Sequence, residues 1–474
     1  MKIMSNVKNF LCIDVGTTRF KTAIINSIGE IIVKKDSYYK EPSSRNFKYH
    51  YYTENDFFYA LKSSIEEIKT NYDIGNISAI GVTGHGQTFV PLGEDIIPIS
   101  KSLGFLDERI IPYNKIVKKN KPNDPVAGMY IPIALYYKKE LPSIYNKTKV
   151  FLTPSDYIAF LMTEKFFTSV SSPTIEPWRE VDLKSFGLDI QKFPDFIYMG
   201  QKIGDTTSKA KALFGLQENI PVFAMGGDFA MGELGVGAVE SGNAYLRFGT
   251  SAGINLCWDK RIEDNRILSY KHFIEGLWNI SGMVNTAGIS VDWARKILKL
   301  EKFPDFDIKP KTDTLFFPYL RGEKTPFWDP DITASIVGIK RGMKDSDILF
   351  AILRGIAIGI RESIEIIEQH GGVFKKPISV SGWWAGIDWF LQMMSDITGK
   401  SYCSIQNSDA ELLGIAIVLS KVMGIYPDLK RGANSIVKIK SIFKPDRDVQ
   451  SFYNNFYDKY IHVRSKLYHS NFVR

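Results

Sequence analysis

The sequence predicts a mixed α/β fold built as two related halves, and three observations carry that reading. The chain opens with three strands, a helix and a strand, an order that calls for a mixed sheet with helices packed against it. A strand, glycine-hydroxyl turn, strand unit occurs around Gly16 and again around Gly249, close to half the chain apart. With 474 residues, 44% of them hydrophobic, the chain can bury more than one core.

The elements follow in order. FLCIDV, FKTAII and EIIVKK are β-rich runs separated by GTT and NSIG, which predicts two successive hairpins. In TENDFFYALKSSIEEIKTNYD, Thr53 is the expected helix cap, and Phe57, Leu61, Ile65 and Ile68 recur at helical spacing. ISAIGVTG then reads as a buried strand. PVFAMGGDFAMGELGVG is an apolar strand that delivers Asp228, after Gly226 and Gly227, to the start of a small-residue helix. SGNAYLRFGTSAGINLCWD repeats the opening unit, with Gly249, Thr250 and Ser251 matching Gly16, Thr17 and Thr18. Next, DSDILFAILRGIAIGIRESIEIIEQHGG predicts a helix capped by Asp345 and stopped at Gly371, PISVSG a buried strand, and IDWFLQMMSDITG a second helix. The boundary is placed just before Ser241, giving domains 1–240 and 241–474, and the cleft between them is the expected site.

Sixty Lys and Arg stand against 52 Asp and Glu, a formal charge of +8. The excess is scattered: KIVKKNKP and VKIKSIFKPDR are short and lack a DNA-binding frame, so a solvated surface is expected and nucleic acid is not. A positive field still attracts small anionic substrates. No window approaches the run of about 20 apolar residues a membrane helix needs, and MKIMSNVKNF lacks the apolar segment of a secretory leader. A cytoplasmic protein without a membrane partner is expected. Cys12, Cys257 and Cys403 are few, odd in number and set in apolar runs, which fits reduced core thiols.

A glycine-hydroxyl turn exposes successive backbone N–H groups and hydroxyls that can surround phosphate oxygens, while glycine allows close approach. One such turn is equally an ordinary hairpin. Two of them opening matched halves argue for a polyphosphate held by both. Asp14, just before the first turn, is placed to hold Mg²⁺ through water. Phosphoryl transfer also needs a group to take the proton of the attacking hydroxyl, and Asp228 is the candidate; its bland alternative is a helix cap.

These stretches resemble the FGGY family of carbohydrate kinases, whose two domains share the actin-like, ribonuclease H-like fold of hexokinase and Hsp70. The likeness runs from about Phe10 to about Leu419. It rests on IDVGTTRFK, GVTGHGQTFVPL followed by FLDER, TPSDYIAFLMTE, MGGDFAMGELGVG, RFGTS, FFPYLRGEKTPFWDP and LQMMSDITG. The resemblance implies that Asp228 is the catalytic base in ATP-dependent phosphorylation of a sugar or polyol. It puts Asp14 and Asp228 at the magnesium site and Thr17, Thr18, Gly249, Thr250 and Ser251 around the phosphates. Gly288 and Asp292 match nucleotide-touching positions, and Gly382 starts the adenosine segment, followed by Trp383. On the sugar side, His85 and Gln87 of GHGQT are the expected hydroxyl binders, with Asp107 and Arg109 behind them and Asp228 opposite. The bland alternative for His85 is a loop histidine bonded to backbone. The tract looks closer to ketose and polyol kinases than to glycerol kinase; within the family the chain is xylulokinase-like, and a ketose such as a pentulose is the expected acceptor, though the tract itself names no specific sugar. A homodimer is compatible with the family.

Three departures stand out. Trp383 and Trp384 replace the consecutive glycines of the adenosine segment, so either a ring stacks on the base, or the pocket is narrowed, or both rings pack into the interdomain core. Arg354 occupies a common glutamate position. TSVSSPT lacks the aspartate of the family's Thr-Asp-Tyr-Ser segment. The indole pair supports one alternative, a sugar-binding pseudokinase with an occluded adenosine pocket. An actin- or Hsp70-like ATPase acting on proteins is a third reading, which gives no reason for GHGQT or MGGDF.

Overall fold

The computed structural model describes residues 7–39, 51–104, 107–121, 127–300 and 312–469. The first six residues of MKIMSNVKNF, Phe105 and Leu106 of FLDER and Pro122 of KIVKKNKP lie outside the described residues. The chain forms two compact units. The first runs through Gly235 and takes up Glu411–Ile436; the second holds Val236–Ala410 and the chain from Val437 onward.

In the first unit, β1 (Asn9–Val15), β2 (Arg19–Asn26) and β3 (Ile31–Tyr38) form the two expected antiparallel hairpins. Helix α1 (Asp56–Lys69) buries Phe57, Leu61, Ile65 and Ile68, and β4 (Ile77–Gly84) then lies parallel to β1. With helix α2 (Pro154–Thr163) between, β5 (Lys202–Asp205) and β6 (Pro221–Gly227) complete a six-stranded sheet ordered β5-β6-β4-β1-β2-β3. Strands β1 and β4 read as continuous apolar runs because each is buried along nearly its whole length. One detail differs from expectation: Thr53 makes no side-chain cap on α1. The roles are reversed, the Thr53 N–H donating to the Asp56 carboxylate at 2.7 Å. A smaller sheet of Tyr51–Tyr52, Ser102–Gly104, Thr88–Leu92 and Val150–Leu152 carries an aromatic core of Phe89, Tyr130, Phe151, Trp178 and Phe193. Helix α3 (Asp228–Gly235) closes this part of the chain.

The second unit repeats the plan. Strands β7 (Ala244–Phe248), β8 (Ala252–Trp258), β9 (Leu268–Lys271), β10 (Trp278–Val284), β11 (Ile378–Ser381), β12 (Tyr402–Ile405) and β13 (Ile439–Phe443) are ordered β9-β10-β8-β7-β11-β12-β13. Three antiparallel strands, β7, β8 and β10, stand where β1, β2 and β3 do, and the parallel β11 and β12 match β4 and β6. Antiparallel β13 matches β5, and β9 is an added edge. Helices α4 (Ala287–Ile297), α5 (Asp345–Gln369) and α6 (Asp388–Thr398) cover the sheet. Asp345 is the first residue of α5 and not its cap: Lys344 caps, its N–H donating to the Asp347 carboxylate at 2.9 Å. Gly371 (φ +81°) ends the turn after α5 as expected.

Helices α7 (Ala410–Val422) and α8 (Leu429–Ile436) return to the first unit, and α9 (Arg447–His469) follows β13. Gly414 on α7 lies so close to α3 that a Cβ there would sit 2.1 Å from the Met231 carbonyl oxygen. Arg354 is a core residue of the second unit, 0% exposed, its guanidinium 3.7 Å over the Phe456 ring and donating to the Thr314 carbonyl at 2.8 Å. The three cysteines are free and buried. Among the described residues no helix is long and apolar enough to cross a membrane.

Candidate active site

Three parallel strands of the first unit end in register, Val15 beside Gly84 and Gly84 beside Gly227. One residue further on, the chain places Gly16, His85 and Asp228 side by side. The carboxyl ends of parallel strands are where open α/β sheets bind ligands.

The first turn is tight. The Gly16 N–H donates to the Arg19 carbonyl at 3.0 Å, and a Cβ at Gly16 would lie 2.7 Å from that oxygen, so glycine is required. Tyr39 and Tyr52 donate their hydroxyls to the Gly16 and Thr17 carbonyls, both at 2.9 Å, which ties the turn to the body of the unit. Thr17 is half-buried and Thr18 exposed. Asp14, 3% exposed, faces Lys21 across the hairpin; the Lys21 ammonium is 3.3 Å from Asp14 Oδ2 and 3.3 Å from Glu411 Oε2 on α7. Asp14 Oδ1 is buried without a hydrogen-bond partner. Burial pushes the Asp14 carboxyl up to about 7, Lys21 pulling it down and Glu411 and Asp228 raising it further.

His85 is bonded to backbone. Its N–H and its Nδ1 both reach the Val15 carbonyl, at 3.0 and 2.8 Å. A carbonyl only accepts, so Nδ1 carries the proton and Nε2, buried and without a partner, presents a lone pair. Burial lowers the His85 pKa, the Val15 bond and the Asp228 charge opposing it, so the ring is neutral near pH 7. Gln87 adopts φ +55°, a conformation of local constraint in a non-glycine residue. Asp107 is engaged chiefly by Arg109, which donates three hydrogen bonds to it at 2.7 to 3.0 Å. Gly104 pairs with Thr88, which brings this ion pair to the end of the small sheet where Gln87 lies.

Asp228 opens α3 directly after β6, as the strand, glycines, helix pattern predicts. It lies close enough to Asp14, His85 and Tyr130 for its charge to be felt by all three. Lys21, Glu411 and Tyr130 were not among the sequence candidates. Lys21 was within reach, because a hairpin turning at residues 16–19 sets Asp14 opposite residue 21; Glu411 comes from a remote helix and has no local signal.

The second unit gathers its candidates around the matching turn. Gly288, at the start of α4, donates its N–H to the Gly249 carbonyl at 3.1 Å, and a Cβ there would lie 2.2 Å from that oxygen. Gly382 (φ +90°) packs against the Phe248 carbonyl, where a Cβ would be 2.7 Å away. Gly249 and Thr250 are exposed and Ser251 half-buried; Asp292 is exposed one helical turn beyond Gly288. The two indoles separate. Trp384 is buried against Phe248 and Phe390, with ring centroids 5.0 and 4.7 Å apart, whereas Trp383 is 61% exposed and meets Trp384 edge-on at 5.1 Å. The expectation that both pack into a core between the domains is not met: Trp384 packs into the second unit's own core and Trp383 is exposed.

Two units of one topology, each turning through glycine and hydroxyl residues at its first hairpin, define the actin-like ATPase fold. Within that class the comparisons with known proteins are specific. The N-terminal domain model of the FGGY family of carbohydrate kinases matches residues 9–235 and the C-terminal domain model matches residues 244–422. The chain belongs to the FGGY family of carbohydrate kinases, enzymes that phosphorylate sugars. A xylulose kinase of Staphylococcus epidermidis is 24% identical over 475 residues, covering 95% of each chain, and one of Bacillus subtilis is 25% identical over 488 residues, covering 96% of this chain and 97% of its own. Among solved structures, a gluconate kinase from Lactobacillus acidophilus superposes with a TM-score of 0.83 at 19% identity, over 98% of both chains.

Proposed function

We propose that the chain transfers the γ-phosphoryl group of ATP to a hydroxyl of a ketose, a pentulose such as xylulose, with Asp228 as the general base. The observation that carries this reading is the row of strand ends that sets Asp228 beside neutral His85 and buried Asp14. The names of the curated relatives favour xylulose as the acceptor.

Asp228 accepts the proton of the sugar hydroxyl while that oxygen attacks the γ-phosphorus and the ADP oxygen leaves. His85 Nε2 accepts a hydrogen bond from a second hydroxyl, and Gln87, with the Asp107–Arg109 pair behind it, orients the sugar. The backbone and hydroxyls of Thr17 and Thr18 in the first unit, and of Gly249, Thr250 and Ser251 in the second, hold phosphate oxygens. Gly288 and Asp292 lie on the nucleotide side, and beyond Gly382 the exposed Trp383 stacks on the base.

Among the described residues no group of three or more His, Cys, Asp or Glu side chains could hold a metal ion. A magnesium ion held through water and phosphate fits the unpartnered Asp14 Oδ1, with Asp228 nearby. When bound, it neutralises charge on the phosphate oxygens.

A screen of nucleoside-diphosphate release over pentuloses, tetruloses, hexuloses, polyols and gluconate, with ATP and with GTP, tests the reading. A pentulose should give the highest turnover. Both donors should serve, because stacking on an indole discriminates weakly between bases. Asp228→Asn should lower kcat by roughly 10²- to 10⁴-fold at an unchanged circular-dichroism spectrum; retained turnover would remove the base assignment.

A further inference from the structure

Strand β6 does not run straight into Asp228. Its pairing with β4 steps from Ala224–Val82 to Gly227–Gly84, so Met225 and Gly226 together stand opposite the single residue Thr83. This is a bulge with one extra residue, a device that re-aims the next side chains along the strand and leaves amides outside the ladder. Gly226 sits at φ +77°, and a Cβ there would lie 2.7 Å from the Ser171 amide nitrogen. Thr83 Oγ1 donates to the Gly226 carbonyl at 2.7 Å.

The two amides that leave the ladder share one acceptor. The Met225 and Gly226 N–H groups donate to Ser169 Oγ at 3.1 and 3.0 Å. Ser169 is itself fixed, its N–H donating at 3.0 Å to Oδ1 of Asp156, whose Oδ2 accepts from Thr153 Oγ1 at 2.6 Å. Asp156 is a buried residue of α2. A hydrogen-bonded path through Thr153, Asp156 and Ser169 thus runs from the start of α2 to the peptide groups just before Asp228.

We infer that Ser169, held by Asp156, is a positioning residue for Asp228: its hydroxyl maintains the bulge that fixes where the carboxylate emerges from the sheet. Without that acceptor two amides lose their partner, and pairing can slip by one residue, which turns the side chains beyond the bulge to the opposite face. The inference rests on the reading of Asp228 as the base.

The test is steady-state kinetics of the full chain, with ATP and D-xylulose or whichever sugar gives the highest turnover in the screen. Ser169→Ala should lower kcat by about 10- to 100-fold while both KM values stay within about threefold, the pattern of a misplaced reacting group. Ser169→Thr keeps the acceptor and should restore kcat to within about threefold of the parent. A Ser169→Ala kcat within about twofold of the parent, or a loss that Ser169→Thr shares equally, overturns the inference. Asp228→Asn in the same assay separates the two ideas. If it is inactive while Ser169→Ala is fully active, only the positioning role fails; if it is active, the base assignment fails and this inference with it.

Discussion

At the residue scale, His85 has one ring nitrogen committed to backbone and one left over. The Val15 carbonyl fixes its tautomer, and that fixed tautomer leaves Nε2 as a buried acceptor without a partner. Replacing it with alanine should raise the sugar KM about tenfold, the loss of one hydrogen bond of roughly 1–1.5 kcal/mol, and leave the ATP KM unchanged. Isothermal titration of the parent and His85→Ala with D-xylulose checks this; equal affinities would place Nε2 away from the sugar. GHGQT marked His85 in the sequence, but the choice between backbone-bonded and sugar-facing could not be made there. The structure gives Nδ1 to the Val15 carbonyl and leaves Nε2 buried without a partner.

At the element scale, strands, helices and both turns were legible because alternation, helical periodicity and glycine placement are local. The bulge in β6 was not, since Gly226 and Gly227 are equally compatible with a plain strand end. Its support comes from Ser169, more than fifty residues earlier. Asp156 within this support makes a pH prediction. Burial pushes its carboxyl up to about 7, the bonds from Thr153 and Ser169 opposing, against an ordinary value near 3.8. A carboxyl raised in the folded state favours folding below its unfolded value and loses that contribution as pH rises through the folded value. Stability should therefore fall between about pH 4 and pH 7, by an amount of order a few kcal/mol from this group. Thermal melts of Asp156→Asn should show a shallower decline across that window than the parent; parallel curves would show that Asp156 does not titrate there.

At the scale of the whole molecule, a repeated turn in the sequence proved to be a repeated sheet, seven strands answering six. The path of the chain was less legible: nothing local to Glu411–Ile436 says that it belongs with residues hundreds of positions earlier. Backbone contact between Gly414 and Met231, and the Glu411–Lys21 pair beside Asp14, are among the contacts that hold it there. A fragment ending at Gly235 should accordingly be less protected in hydrogen exchange along β1, β4 and α3 than the same segments of the full chain. Equal protection would show that the returning helices are dispensable.

The return of α7 sets an order of events during synthesis. Residues up to Gly235 leave the ribosome long before Glu411–Ile436, so the first unit cannot complete its packing until that later segment has been made.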